Sequence, residues 1–175
     1  MNPKRILLIQ GHPDGSQRHL CHALEDAYAA GATDAGHQVR RVTVARLDFP
    51  ILRTQADWDG GTVPPGLEAV QADILWAQHL VLFFPLWLGG IPAYFKGFLE
   101  QVARPGFAFT EKNGNPFGRK GLIGRSARVV VTLGMPAIVY RGYFRSSGVE
   151  SLERKILSFV GNDPVRETLI GGEDR

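Results

Sequence analysis

Residues 80–100, which read LVLFFPLWLGGIPAYFKGFLE, combine a strand, a turn and a helix in one short stretch. The first five residues are all apolar, which is typical of a parallel strand buried on both faces. Pro92 predicts the first turn of a helix, where proline is well tolerated. Between these elements stand Leu86, Trp87 and Leu88, three bulky apolar residues where a loop is expected to be polar. The order predicts a parallel sheet covered by helices, with an unusual loop at one strand end.

The same alternation of strands and helices extends along the chain. Apolar or alternating runs predict five strands, and runs with helical spacing predict four helices. The stretch 46–65 contains three prolines and is predicted to be irregular, whereas 104–125 is predicted to be a loop or a small hairpin. The predicted strands are residues 5–10, 38–44, 80–84, 127–133 and 165–170, and the predicted helices are residues 17–35, 67–78, 92–103 and 149–160.

Strand polarity predicts the order of the sheet. The first, third and fourth strands are apolar, while the second and fifth mix polar and apolar residues, which suits the edges of a sheet. Of the two common doubly wound orders, 2-1-3-4-5 places the second and fifth strands at the edges. The sequence therefore predicts a single domain over residues 1–175, a flavodoxin-like three-layer α/β/α sandwich with a five-stranded parallel sheet.

Composition narrows the class of protein. The formal net charge of +3 is small and the basic residues are scattered, so no nucleic-acid-binding surface is predicted. Cys21 is the only cysteine, which excludes an intrachain disulfide and a CxxC metal site and fits a reducing cytoplasm. The longest apolar run, 80–92, is interrupted by Pro85 and is too short to cross a membrane. We therefore expect a soluble cytoplasmic protein with no metal site, no nucleic-acid partner and no membrane insertion.

Three predicted loops follow strands whose carboxyl ends should meet near the switch point of the sheet, where such folds bind ligands. They are residues 10–19, 84–92 and 133–148. The first loop precedes a helix N-terminus, which favours anions, and fits either a phosphate cradle or an ordinary polar helix cap. A G-x-G-x-x-G fingerprint and a P-loop are both absent from the sequence. The side chains that could donate in the first loop are His12, Ser16, Gln17, Arg18 and His19.

The other two loops carry aromatic and apolar residues. In the second, two prolines and two glycines predict a rigid turn that a flat ligand such as a flavin ring could approach closely. The alternative is that Leu86, Trp87 and Leu88 fold back into the core. In the third, Tyr140 could donate a hydrogen bond to negative charge developing on a ring, and the alternative is an ordinary surface tyrosine.

Together, five stretches resemble the NAD(P)H:quinone oxidoreductase group of flavodoxin-like flavoproteins, which includes the Kef-type potassium-efflux ancillary proteins. The resemblance spans most of the chain, and the PLW turn followed by GxPA and KGF is its most specific part. The matching stretches are GHPDGSQRHLCHAL (11–24), FPLWLGGIPAYFKGFLEQV (84–102), PGFAF (105–109), RVVVTLGMPAIVY (128–140) and FVGNDPVRETLIG (159–171).

The resemblance implies a set of flavin contacts on all three loops. His12 and Ser16 match the family's phosphate loop, with Arg18 or His22 nearby as further candidates. The segment 85–88 matches the turn that lies along the flavin ring. The cofactor-binding residues implied in this way are His12, Ser16, Arg18, Pro85, Leu86, Trp87, Leu88, Thr132, Gly134 and Tyr140.

The resemblance also implies catalytic and substrate-binding residues. Tyr140 and Trp87 are implied as catalytic residues. Phe107 and Phe109 are implied as walls of the substrate pocket, across the interface of a homodimer. This chain departs from the family pattern because no histidine follows Tyr140. Either Tyr140 acts with Arg141 or another donor, or the backbone stabilises the charge of the reduced ring.

The implied activity is two-electron transfer from NADH or NADPH, through bound FMN or FAD, to a quinone or related acceptor in a ping-pong sequence. Two alternatives stay open. One is a flavin-binding regulatory subunit of a membrane potassium-efflux transporter, and the other is a flavodoxin-type electron carrier.

Overall fold

The computed structural model describes residues 2–60, 62–112, 115–134, 149, 152 and 156–172. Seven strands, five α-helices and a short 3-10 helix (Val44–Arg46) are formed within these ranges. The strands are β1 (Arg5–Gln10), β2 (Gln38–Thr43), β3 (His79–Pro85), β4 (Phe109–Lys112), β5 (Asn115–Lys120), β6 (Ser126–Leu133) and β7 (Val165–Gly171). The helices are α1 (Leu20–Asp34), α2 (Gln55–Gly60), α3 (Leu67–Trp76), α4 (Ala93–Val102) and α5 (Ser158–Val160).

Five strands form the main sheet in the order β2-β1-β3-β6-β7, and every neighbouring pair is parallel. Counted along the chain, this is the predicted order 2-1-3-4-5, so the flavodoxin-like fold is confirmed. Strands β4 and β5 form a separate antiparallel hairpin, one of the two alternatives predicted for 104–125. Because all strands of the main sheet are parallel, their carboxyl ends lie along one edge.

Strand β3 shows why the quoted stretch begins with unbroken apolar residues. Leu80, Leu82 and Phe84 belong to the larger apolar cluster, together with residues of α3 and α4. Val81 and Phe83 belong to the smaller cluster, together with residues of α1. Successive side chains of a strand point to opposite faces, so a strand buried on both faces is apolar at each position.

Helix α2 contradicts the prediction that 46–65 is irregular throughout. The side chain of Thr54 accepts a hydrogen bond from the backbone N–H of Asp57 at 3.1 Å, and Asp57 accepts one from the N–H of Thr54 at 3.1 Å. This reciprocal cap stabilises a first helical turn without an apolar stripe, which is why hydrophobic periodicity gave no signal. The guanidinium of Arg104 also donates to the backbone oxygen of Asp57 at 2.6 Å.

None of the helices in the described ranges is both long enough and apolar enough to span a bilayer. The predicted helix over 149–160 lies partly outside the described residues. Its described end is the short helix α5, which packs into the larger apolar cluster through Val160.

Gly11, directly after β1, lies against the ring of Phe95 in helix α4. A Cβ placed on Gly11 would lie 2.7 Å from two ring carbons of Phe95, which is closer than real Cβ contacts. Phe95 is completely buried, so its ring has no room to move away. Only glycine allows this approach of strand and helix.

Replacing Gly11 by alanine is therefore expected to destabilise the protein by about 1–3 kcal/mol through overpacking. Gly31→Ala is the matched control, because a Cβ at this position in α1 meets nothing within 4 Å. It is expected to stabilise the helix by about 0.5–1 kcal/mol. Chemical denaturation of the two variants measures both changes, and equal stability of Gly11→Ala and the parent chain would contradict the close approach.

Candidate functional site

The ends of β1, β3 and β6 are joined by main-chain hydrogen bonds that place the candidate site. The N–H of Gly11 donates to the oxygen of Phe83 at 2.7 Å, and the N–H of Leu86 donates to the oxygen of Thr132 at 2.8 Å. The side chain of Thr132 lies 3.2 Å from the sulfur of Cys21 in the first turn of α1. The first loop, the second loop and the end of β6 therefore meet at one edge of the sheet, whereas residues 135–148 of the predicted third loop lie outside the described residues.

The second loop makes a tight turn that exposes two apolar residues. Trp87 and Gly90 exchange two main-chain hydrogen bonds of 3.0 Å each. The two residues between them, Leu88 and Gly89, have φ angles of 48° and 77°. Positive φ at both central positions is the geometry of a type I′ turn. For leucine this left-handed conformation is rare and costs conformational energy.

Exposure decides between the two readings of this loop. Trp87 is 49% exposed and Leu88 is fully exposed, so these two side chains do not fold back into the core. Leu86 is partly buried and packs against the larger apolar cluster, and Pro85 is buried at the end of β3. We call residues 87–90 the apolar tip. Its two large apolar side chains form a surface suited to contact with a flat ligand or a second molecule.

Three histidines lie together around the start of α1, and one of them, His12, meets the apolar tip. The rings of His12 and His19 stack with their centroids 3.8 Å apart, and His22 lies beside both. The ring of Trp87 meets His12 edge-on, with centroids 6.1 Å apart. Burial, followed by the neighbouring histidines, lowers the pKa of His12, and burial and His19 lower that of His22. At neutral pH, His12 and His22 are therefore neutral hydrogen-bonding groups.

Asp14 organises the donors of the first loop, and the sequence reading missed it. Its carboxylate accepts hydrogen bonds from the backbone N–H and hydroxyl of Ser16 at 2.8 and 2.6 Å. It also lies 2.8 Å from Nε2 of His19 and 3.3 Å from the amide nitrogen of Gln17. The Ser16 hydroxyl and then His19 hold the pKa of Asp14 well below its usual range. The signal was present, because Asp-Gly-Ser is typical of a turn that an aspartate side chain closes.

These contacts also explain where helix α1 begins. The prediction had the helix start at Gln17, but Ser16 and Gln17 bond to Asp14 inside the loop and α1 begins at Leu20. His19 is the N-cap residue, and its backbone N–H donates to Nδ1 of His22 at 3.1 Å.

A buried polar pair fixes the first loop to α1. Gln10, the last residue of β1, donates through its amide to the backbone oxygen of Cys21 at 3.0 Å and to Glu25 at 3.1 Å. Its side-chain oxygen accepts the N–H of His12 at 3.2 Å. Burial raises the pKa of the Glu25 carboxyl. The sequence reading treated Gln10 only as the end of an apolar strand and so missed this role.

The other residues predicted to bind the cofactor differ in their burial and in their position relative to the three histidines. Thr132 is buried at the end of β6, and Gly134 is exposed one residue beyond the strand. Arg18 is exposed and forms an ion pair with Asp26. Tyr140 lies outside the described residues, so its predicted roles stay predictions.

Phe107 and Phe109 lie beside helix α4. Phe107 packs against the larger apolar cluster. Phe109 stacks on Trp58 with ring centroids 6.3 Å apart and lines a cavity of about 220 Å³ with Leu99 and Ala103 of α4 and its C-cap. Their predicted role as substrate-pocket walls is untested by these contacts.

The sheet order and the convergence of the strand ends define a flavodoxin-like α/β domain. A family whose members have a flavodoxin-like fold, Flavodoxin_2, matches residues 4–175, and the chain belongs to that family.

Relatives carry related activities in their names. A protein of Haemophilus influenzae described as an uncharacterized NAD(P)H oxidoreductase is 26% identical over 183 residues, covering 94% of this chain and 89% of that protein. An FMN-dependent NADH:quinone oxidoreductase of Beijerinckia indica is 28% identical, covering 97% and 88%. The solved structure of an NAD(P)H:quinone oxidoreductase from Methanothermobacter marburgensis matches with a TM-score of 0.78 at 22% identity, covering 99% of this chain and 87% of that one. The resemblance to this group is thereby confirmed, and the structural match shows the shared fold.

The histidine cluster predicts a defined response to pH. We expect the NMR titration midpoints of His12 and His22 to lie below the ordinary value of about 6.5. Because the unfolded chain takes up these protons first, folding stability is highest above about pH 6.5 and is lost as the pH falls from there through the lowered pKa values of the folded state. The charge of Asp14 raises both pKa values, so Asp14→Asn should lower both midpoints further. Asp59→Asn in α2, whose carboxylate bonds Gln55, is the control and should leave both unchanged.

Proposed function

We propose that the chain is an FMN-dependent oxidoreductase that transfers a hydride from NAD(P)H to a quinone or related acceptor. The observation that carries this proposal is the apolar tip, held open to solvent beside the start of α1 at the carboxyl edge of the sheet. An exposed aromatic next to a helix N-terminus is what a ligand with a flat ring and a phosphate requires. The named activities of the relatives from Haemophilus influenzae and Beijerinckia indica support the same assignment.

The donor set of the first loop fits a phosphate, with one obstacle. Ser16, Gln17 and His19 group a hydroxyl, an amide and an imidazole at the start of α1, which is the chemistry that a phosphate ester needs. In the structure these donors converge on the carboxylate of Asp14. We infer that Asp14 turns away when FMN binds and that its negative charge opposes the phosphate.

Bound FMN would supply the hydride-accepting and hydride-donating chemistry, and the protein would bind, orient and shield. Trp87 and Leu88 would cover the flat ring and keep water from it, as hydride transfer needs closely stacked rings. Thr132 and Gly134 would border the ring at the end of β6. Tyr140 would donate a hydrogen bond to the negative charge of the reduced state. In sum, NAD(P)H loses a hydride and the quinone gains a hydride and a proton.

We further propose that NAD(P)H and the acceptor use one pocket in turn, and that the protein is a homodimer. The apolar tip supports the dimer, because a second subunit would remove Leu88 from water. In this arrangement Phe107 and Phe109 would wall the pocket of the neighbouring subunit.

Removing the charge of Asp14 is expected to strengthen FMN binding. Asp14→Asn should lower the Kd for FMN roughly tenfold, the order of one like-charge contact at a partly exposed site. Quenching of flavin fluorescence measures the Kd, and riboflavin, which has no phosphate, should bind both proteins alike. His12→Ala combined with Ser16→Ala should weaken FMN binding. Unchanged affinity in both variants would show that the phosphate does not lie at this loop.

The catalytic proposal predicts NAD(P)H oxidation that depends on added FMN and on a quinone. Initial rates at several fixed quinone concentrations should give parallel double-reciprocal lines, as expected when the first product leaves before the second substrate binds. Tyr140→Phe should slow turnover by roughly 100-fold, the scale for losing one donor to a developing charge, while FMN stays bound. Lines that intersect would contradict the shared pocket, and an unchanged rate would remove Tyr140 from the mechanism.

A further inference from the structure

A buried carboxylate is linked to the first loop and has no part in the proposed chemistry. Glu25 of α1 is 5% exposed and contacts Gln10, the last residue of β1. Its Oε2 accepts a hydrogen bond from the Gln10 amide at 3.1 Å. Its Oε1 is buried and meets no hydrogen-bond donor in the described part of the chain. Such a carboxylate is costly as an anion, because neither water nor a second donor compensates its charge.

The charged groups that face Glu25 leave its carboxylate weakly compensated. On β2, Nε of Arg41 lies 3.9 Å from Oε1 of Glu25, which is beyond hydrogen-bonding distance. The guanidinium of Arg41 is bonded instead to Asp26, and its side chain is 43% exposed. Asp26, the next residue of α1, adds a second negative charge. Burial raises the pKa of the Glu25 carboxyl, the hydrogen bond from Gln10 and the charge of Arg41 lower it, and Asp26 raises it.

A continuous chain of hydrogen bonds connects Glu25 to the donors of the first loop. The side-chain oxygen of Gln10 accepts the N–H of His12 at 3.2 Å, and Nδ1 of His12 accepts the N–H of Asp14 at 3.1 Å. Asp14 in turn accepts the hydroxyl of Ser16. Because the Gln10 amide bonds Oε2, a proton on Oε1 would neutralise Glu25 without breaking any link of this chain. The loop can therefore keep its geometry in both charge states of Glu25.

Glu25 is close enough to the start of α1 to respond to an anion there. It lies five residues after Leu20, the first residue of the helix, which is about 7.5 Å along the helix axis. Two negative charges at such a separation repel each other, and the protein interior screens this repulsion less than water does. An anion at the first loop and an ionised Glu25 therefore oppose each other, whereas an anion and a protonated Glu25 do not.

We propose that Glu25 takes up a proton from solvent at Oε1 when FMN binds, so that no buried carboxylate opposes the phosphate. This inference rests on the proposed FMN-dependent function. The only bond formed at Glu25 is the O–H bond, and its hydrogen bond with Gln10 persists. Glu25 is a positioning residue, because it acts through its charge and through Gln10 and not by touching the cofactor. Protonation and FMN binding strengthen each other by the same factor, as linked equilibria must.

The pH dependence of FMN affinity tests this proton uptake. Glu25→Gln can keep the hydrogen bond with Gln10 but carries no charge, so it imitates the protonated residue. The ratio of the Kd of the parent chain to that of Glu25→Gln should fall roughly tenfold between about pH 8 and about pH 5. Tenfold is the scale for one like charge at about 10 Å and an effective dielectric constant of about 20. Comparing the two proteins at each pH cancels the titration of the phosphate and of the histidines.

Two controls separate the charge of Glu25 from other effects. Asp34→Asn removes an exposed carboxylate at the far end of α1, and the ratio measured with this variant should not change with pH. Riboflavin, which has no phosphate, should give a ratio between the parent chain and Glu25→Gln that is independent of pH. A constant FMN ratio for Glu25→Gln would assign Glu25 a purely structural role and overturn the proposal. A riboflavin ratio that changes as the FMN ratio does would overturn it as well.

A measurement on the parent chain covers the case in which Glu25→Gln does not fold. The NMR signal of the side-chain carboxyl carbon of Glu25 reports its protonation, and its titration midpoint should rise when FMN is added. The midpoint of Asp34 in the same sample should stay unchanged. FMN binding with an unmoved Glu25 midpoint overturns this inference alone. If the parent chain binds no FMN at any pH, the proposed function fails and this inference fails with it.

Discussion

The candidate site depends on the hydrogen-bonded ladder that continues one residue past the carboxyl ends of β1 and β3, onto the neighbouring strands β3 and β6. The bonds from Gly11 to Phe83 and from Leu86 to Thr132 keep the leaving segments side by side after the strands have ended. Since parallel strands share one direction, loops far apart in sequence are brought to one edge without any direct attraction between them. Gly11 adds a steric condition, because only a residue without a side chain lets this edge approach Phe95 of α4. The histidines, Asp14 and the apolar tip lie side by side because these hydrogen bonds and the close approach at Gly11 fix the two loops.

The electrostatic character of the first loop differs from that of a strongly basic phosphate site. His12 and His22 are kept neutral by burial and by their neighbours. The nearest guanidinium, that of Arg18, is engaged by Asp26 at the surface. In the structure Asp14 holds the donors of Ser16 and Gln17 in place. Under the proposed function, these neutral donors and the N-terminus of α1 would attract the phosphate once Asp14 has turned away.

Much of the fold can be predicted from the sequence, because a strand that is buried on both faces is apolar at each position. The unbroken apolar residues of β3 predict a central strand, and the mixed residues of β2 and β7 predict edges, as the structure confirms. The turn-forming residues around Trp87 left two alternatives open, and only the structure shows that its side chain is half exposed. Helix α2 could not be predicted, since a side-chain cap at Thr54 and not an apolar stripe starts it. The convergence on Asp14 depends on side-chain rotamers, which residue types alone do not specify.

The thiol of Cys21 has a consequence of its own. It is the only cysteine of the chain, it is 1% exposed, and it lies against Thr132 at the heart of the strand-end cluster. Alkylating reagents and oxidants attack the exposed thiolate, so they reach this sulfur only during transient separation of α1 from β6. The rate at which the native protein is alkylated at Cys21 therefore measures how often this contact opens. No other label is needed, because the chain has no second cysteine.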